Sequence, residues 1–396
     1  MINKIVSNDI FMLSFFIIFM MILPKANSLW LVIFILIPAL ICIKKEGYKK
    51  TGFEIPIIFF IAICLISIIG QESTIIKYSI HELIKAVKFL ILLLLIPQLN
   101  IDLKGKNINI LNKFMGIGII FYDIILFFSL KGKYLVYNYI YHQRYTGGYQ
   151  LSSYSGTLMI IILYTFRYLF EKKGYIEKII FFNALILLII TQSRGAWLGT
   201  VIACFCYVII EKRKESFKIL LTSLLIFILI FSIKNPMISQ YTNRAKSIIN
   251  IKTDGSNIGR LTMWKKSISV FLSSPIKGVG YRAGGKYIDL SESDNEIGIV
   301  HCHNFIIELL TGVGILGVLS YFLIYFNMFK SIIKAKILGL NISLNMLYPL
   351  IAVFIYDNFE PIWIRGYAYY ILLSLISLTI IYNIKDKKEN IKFWKK

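Results

Sequence analysis

The chain has 396 residues, of which 57% are hydrophobic and 15% aromatic, with a positive mean hydropathy and a formal charge of +23. That apolar content exceeds what soluble domains carry and excludes an ordinary soluble fold, leaving a polytopic membrane protein. No CxxC, HExxH, P-loop or dinucleotide-binding pattern is present, so the sequence calls for no cofactor.

Apolar stretches of about 17 to 23 residues are long enough to cross the hydrocarbon core as helices. They predict an all-α fold of about twelve transmembrane helices, near 8–24, 28–43, 54–70, 82–97, 108–130, 151–170, 176–192, 195–210, 217–233, 304–329, 342–358 and 363–384. The first apolar run has no small-residue cleavage site after it and reads as a span, not a removable signal. Residues 1–396 are expected to form one transmembrane domain, with a long outer loop at 234–303 carrying short interfacial helices. Lysines and arginines set the orientation. Lys44, Lys45, Lys49 and Lys50, then Lys104, Lys106 and Lys113, then Arg167, Lys172, Lys173 and Lys178, then Lys212, Arg213 and Lys214, then Lys330, Lys334 and Lys336, and the tail 385–396 all fall on one side. Both termini are therefore expected in the cytoplasm, and 131–150, 193–195, 234–303 and 359–362 face outward. Topology accounts for much of the positive charge, so a nucleic-acid partner is unnecessary. Of the five cysteines, Cys302 alone lies in an outer segment, so no disulfide framework is expected.

In chain order, the first polar features are Lys85 and Lys88, early in the fourth span and candidates for facing a polar cavity. The outer segment Arg144-Tyr145-Thr146-Gly147-Gly148 follows, among tyrosines that serve as interfacial anchors or as platforms for sugar rings. Thr191-Gln-Ser-Arg194-Gly-Ala-Trp-Leu-Gly199 then interrupts two apolar runs with an arginine held near the outer boundary, where either snorkelling or an anion accounts for it. The loop 234–303 is basic although the positive-inside rule does not ask for it, which points to an anionic ligand such as a phosphate. Within it Asn257 caps a predicted amphipathic helix with Leu261, Trp264, Ile268 and Phe271 on one face. Arg260, near its start, is electrostatically out of place unless an anion is close. Ser274-Pro275 ends that helix. Gly278-Val-Gly280-Tyr-Arg282-Ala-Gly-Gly285 reads as a turn, simple or built for close backbone approach to a ligand.

His303-Asn304 opens the next span, followed by Glu308, Gly312, Gly314 and Gly317, small residues that let a neighbouring helix approach. A neutral imidazole can accept a proton from a sugar hydroxyl. A His301-x-His303 metal site has no clear third ligand and ranks below that reading. Asp357 and Glu360 flank the last outer turn beside Trp363 and Arg365, placed to pair with arginines or to help position an acceptor.

Three blocks in this order resemble the O-antigen ligases and the related O-antigen polymerases. They are Thr-Gln-Ser-Arg194-Gly-Ala-Trp, Gly259-Arg260-Leu-Thr-Met-Trp264 with Ser-Ser-Pro275 and Gly278-Val-Gly280, and His303-Asn304 followed by Gly314 and Gly317. The resemblance covers roughly residues 140–370 and is closer to the ligases, which share the long outer loop before the histidine block. It implies a metal-independent inverting glycosyltransferase of the bacterial inner membrane, with its active site facing the periplasm. The donor would be a glycan on undecaprenyl diphosphate and the acceptor a hydroxyl of the lipid A-core; a polymerase would use a lipid-linked repeat instead. By this resemblance Arg194 and Arg260 bind the diphosphate and His303 deprotonates or orients the acceptor. Arg144, Tyr145, Lys88, Trp264, Arg282 and Asn304 complete the expected substrate-binding set. A lipid-linked oligosaccharide flippase ranks lower, because its charges would gather in a central cavity instead of at one membrane face.

Overall fold

A computed structural model describes residues 9–103, 105–129, 151–171, 174–212, 243, 255–291, 302–360 and 366–394. These residues are all-helical, with no strand among them. In chain order the helices are α1 (Asp9–Ile22), α2 (Pro24–Glu46), α3 (Glu54–Ser67), α4 (Ser73–Leu90) and α5 (Gly105–Ser129). They continue with α6 (Leu151–Thr165), α7 (Tyr175–Ile190), α8 (Arg194–Glu211), α9 (Gly255–Ser273) and α10 (Gly284–Ser291), then α11 (Phe305–Ile337), α12 (Leu344–Tyr356) and α13 (Tyr367–Trp394).

Helices α6 and α13 form the centre of the bundle. Residues 153–165 and 366–381 are buried on every face, as their lack of a polar side predicts. α7, α8, α12 and α13 pack around α6, and α1, α11 and the chain after α4 pack against α13. The outer faces of α2, α3, α7, α8 and α11 leave Ile, Leu and Phe uncovered, among them Ile55, Ile58, Ile179, Ile186 and Phe326. So much exposed aliphatic surface suits lipid and not water. Four described helices, α2, α8, α11 and the first part of α13, are long and apolar enough to cross a membrane. The chain is an integral membrane protein.

Two predicted elements differ from the expectation. The span at 82–97 belongs to a helix that starts earlier, at Ser73, and gives way after Leu90 to a short helix Leu92–Leu95 and a 3-10 turn over Ile96–Gln98. α4 buries Ile75, Ser79, Glu82, Leu83, Ala86 and Phe89, a single stripe at helical spacing with lysines beside it, so uniform hydropathy was the wrong template for its first half. α9 likewise presents a different face. Ser267 and Val270 are buried and Met263 and Trp264 half-buried, whereas Leu261 and Ile268 are exposed. The stripe containing Arg260, Met263, Ser267 and Val270 turns inward because α11 lies there: Thr311 Oγ1 donates to the Ser267 carbonyl at 3.2 Å. Described from Gly255, α9 also places Arg260 in its second turn, where the helix dipole acts weakly.

α11 is two helices joined at Gly314, whose φ of 66° and ψ of −168° are non-helical. The segment 275–283 fills the break. Val279 N donates to Thr311 O at 3.1 Å, Gly280 N to Gly312 O at 2.9 Å and Ile315 N to Pro275 O at 2.9 Å. These bonds satisfy backbone groups that the broken helix would otherwise leave unpaired. Such contact needs backbone against backbone. A Cβ on Gly278 (φ +72°) would lie 2.3 Å from the Gly312 carbonyl, and one on Gly314 (φ +66°) would clash as closely with the Ile276 carbonyl. The glycines expected to admit a ligand or a helix thus admit a loop.

Candidate functional site

The site is assembled where the first residues of α11, the second turn of α9 and the turn after α12 meet. Asn304 caps α11: its Oδ1 accepts from Ile307 N at 3.0 Å, and its carbonyl accepts from Glu308 N at 2.9 Å. His303, one residue earlier, has φ of +53°, a left-handed conformation that costs a residue bearing a Cβ about 1 kcal/mol. Contacts on both sides hold it there. Trp264 Nε1 donates to the Cys302 carbonyl at 2.9 Å, and Phe305 N donates to the Asp357 carbonyl at 3.0 Å. The Cys302 thiol beside it is buried, which pushes its pKa up to about 12 and leaves it a protonated packing group.

The chemistry-bearing contact is made by Glu360. One carboxylate oxygen, Oε1, accepts from Arg260 Nη2 at 2.7 Å, and the other, Oε2, lies 3.4 Å from His303 Nδ1. Arg260 is 17% exposed, Glu360 30% and His303 37%, so the three groups sit at a rim reached from solvent and are not in the core. A carboxylate joining a guanidinium and an imidazole places an anion-binding fork beside a proton acceptor.

Arg194 reaches the same corner through its helix. Gln192 turns the chain with φ of +53°, Thr191 Oγ1 accepts from Ser193 N at 3.2 Å, and Trp197 Nε1 donates to the Leu188 carbonyl at 2.9 Å, which closes the α7–α8 hairpin. Arg194 then starts α8. Gly195 lies flush against the turn after α12: a Cβ there would come within 3.0 Å of Phe359 and Tyr356. The Tyr356 hydroxyl bonds Ser155 Oγ at 2.7 Å and approaches Ser193 Oγ at 3.4 Å, while its carbonyl accepts from Glu360 N at 2.9 Å. Residues 356–360 therefore form one wall shared by all three sequence blocks.

The remaining expected site residues fall in different places. Arg282 does not open toward solvent. It is 2% exposed, Nε donates to Glu308 Oε1 at 3.2 Å, and Nη1 pairs with Glu82 of α4. Burial works against its charge, but Glu308 and Glu82 outweigh it and hold the guanidinium above its usual range. It braces the first turn of α11 from behind, one turn after Asn304. Lys88 lies between α4 and α2, where its Nζ donates to Ser28 Oγ at 2.8 Å, and Lys85 pairs with Glu82 at 2.6 Å. Arg144, Tyr145, His301, Trp363 and Arg365 lie outside the described residues. Sequence reasoning left Glu360 out of the site set although it noted an acidic group on the last outer turn. It missed Glu82 altogether, since nothing in the sequence links it to an arginine 200 positions away.

Residues 179–322 match the family described as O-antigen ligase, a segment that includes Arg194, Arg260, Trp264, Arg282, His303 and Asn304. Over that segment the chain is similar to the O-antigen ligases. Among similar proteins, an O-antigen ligase of Escherichia coli (strain K12) is 25% identical over 244 residues, 57% of this chain and 57% of that protein. A Rickettsia typhi protein carrying a polysaccharide ligase designation is 26% identical over 81% of this chain and 79% of its own length. A ComP-specific O-oligosaccharyltransferase of Acinetobacter baylyi is 23% identical over 69% of this chain and 52% of its own length. The match thus spans a little over half of the Escherichia coli and Acinetobacter proteins.

Proposed function

We propose that this protein is an O-antigen ligase-like inverting glycosyltransferase of the inner membrane. It moves a glycan from undecaprenyl diphosphate to a hydroxyl of the lipid A-core at the periplasmic face, without a metal. The observation that carries the reading is the contact of Arg260 and His303 through Glu360, on the wall against which Arg194's helix also packs. Guanidinium forks match phosphate oxygens in pairs, so Arg260 and Arg194 suit a diphosphate whose negative charge grows as it leaves. The proton of the acceptor hydroxyl passes to His303. The acceptor oxygen forms a bond to the anomeric carbon as the bond from that carbon to the diphosphate oxygen breaks, and the electron pair leaves with the diphosphate. Attack from the face opposite the leaving group inverts the anomeric centre. Both substrates are amphiphiles, which is consistent with a site at the rim of an apolar bundle.

Acceptor choice is where the relatives' names diverge, one being called an O-antigen ligase and another an O-oligosaccharyltransferase specific for ComP. The glycans of a deletion strain test the reading. A ligase predicts loss of all lipid A-linked polymer with accumulation of undecaprenyl-linked polymer. A single repeat still attached to lipid A would make the protein a polymerase, and unchanged lipid A-linked polymer with an underglycosylated protein would make the acceptor a polypeptide.

A further inference from the structure

Glu360 is the one member of the cluster whose role the proposed reaction leaves open. Its two oxygens are divided between two functional side chains that come from separate elements: Oε1 on Arg260 of α9 at 2.7 Å, and Oε2 at 3.4 Å from Nδ1 of His303 ahead of α11. The turn that carries it is fixed to α12 by the bonds from Phe359 N and Glu360 N to the Tyr356 carbonyl, at 2.8 and 2.9 Å. Tyr356 is itself anchored to Ser155 of the central helix α6. The carboxylate is thus mounted on a turn anchored to the centre of the bundle, while its partners belong to the long outer loop, Arg260 within it and His303 at its end.

We infer that Glu360 is a positioning residue that links occupancy of the diphosphate site to the setting of the base; this rests on the transferase reading above. In the structure the carboxylate is the anion on Arg260. A diphosphate carries more negative charge and offers oxygens for both arms of a guanidinium, so it competes with Glu360 for Arg260. As Arg260 turns to the diphosphate, Glu360 is left to His303. It then holds Nδ1 and fixes the ring, so that proton transfer from the acceptor falls to Nε2. The charge that develops on the imidazole faces a carboxylate no longer paired with an arginine. A carboxylate orienting a histidine in this way is a recurrent device for keeping an imidazole in one tautomer and one direction. Donor binding therefore precedes effective acceptor activation.

The test compares wild type, Glu360→Gln and Glu360→Asp as full chains in lipid nanodiscs, with an undecaprenyl diphosphate-linked glycan as donor and a lipid A-core acceptor. Misplacing a reacting group by about 1 Å can cost on the order of 100-fold in rate. Glu360→Gln keeps the side-chain shape, so kcat should fall about 10- to 100-fold while donor KM stays unchanged or falls several-fold, because the competing anion on Arg260 is gone. Glu360→Asp should recover part of kcat. A merely structural role would instead raise KM, lower kcat and lower the melting temperature together, and that pattern would overturn the inference, as would wild-type kcat in Glu360→Gln. His303→Ala and Arg260→Ala run beside them keep the two ideas apart. If both retain wild-type transfer, the transferase reading fails and takes the inference with it. If both are inactive while Glu360→Gln is unimpaired, the role of Glu360 alone is refuted.

Discussion

Replacing Gly278 with alanine puts a methyl group where the structure has no room for one. The new Cβ would lie 2.3 Å from the carbonyl carbon and oxygen of Gly312 and 2.4 Å from Val313 N, against an ordinary carbon contact of about 3.5 Å. These are backbone atoms of α11, so no side chain can swing away, and the loop has to lift by about 1 Å or more. Lifting breaks the bonds from Val279 N to Thr311 O and from Gly280 N to Gly312 O. Each is worth about 1 kcal/mol, and φ of +72° costs alanine about 1 kcal/mol more, for a total near 3 kcal/mol. Gly259→Ala is the control. It sits inside α9 with nothing within 4 Å, and alanine should stabilise that helix by about 0.5–1 kcal/mol. Denaturation of the purified chain in detergent micelles should show opposite shifts for the two variants, with transfer lost only in Gly278→Ala. Equal stability and activity of Gly278→Ala and wild type would refute the docking of 275–283 into the break of α11.

Arg194→Lys and Arg260→Lys keep the charge but lose the paired donor geometry and should each lose most transfer. On the proposed function, in which both arginines serve one diphosphate, the two alanine variants should be severe singly and little worse together; independent multiplicative losses in a purified assay would assign them to different groups. Cys302, with its thiol buried and its pKa near 12, should resist maleimide in the folded protein up to pH 9 and react once unfolded; rapid labelling of the native chain would contradict its burial. A cysteine at Ser256 should label from outside the cell and one at Glu215 should not. Labelling of both from one side would overturn the alternating topology.

Where hydropathy and local motifs carry the signal, the sequence was legible. The hairpin at Thr191–Trp197, the start of a helix at His303-Asn304 and the cluster of small residues around 312–317 were all visible, because each is set by neighbours a few positions away. The inward face of α9 was not. Its polar Ser267 is buried and its Ile268 exposed because α11 lies against the Ser267 face, where Thr311 bonds the Ser267 carbonyl. Arg282 looked like any loop cation, since its carboxylates are 26 and 200 positions distant. The fourth span was misplaced for a related reason: Glu82, Lys85 and Lys88 interrupt its hydropathy, and only the bundle shows that Glu82 is buried against Arg282. Glu360 could be noticed as a lone acid on a short turn, but its two partners meet it only through the packing of α9 and α11 on α12.

The most direct test of the central claim is transfer by the reconstituted protein, following both glycan movement and release of undecaprenyl diphosphate in wild type, His303→Ala and His301→Ala. A general base is typically worth about 10²- to 10⁴-fold. Wild type and His301→Ala should release one undecaprenyl diphosphate per glycan transferred, and His303→Ala should bind the donor with wild-type affinity yet fall by that factor, with no effect of chelator. Equal loss in both histidine variants, with chelator inhibition and rescue by zinc, would contradict the account and replace the base with a metal.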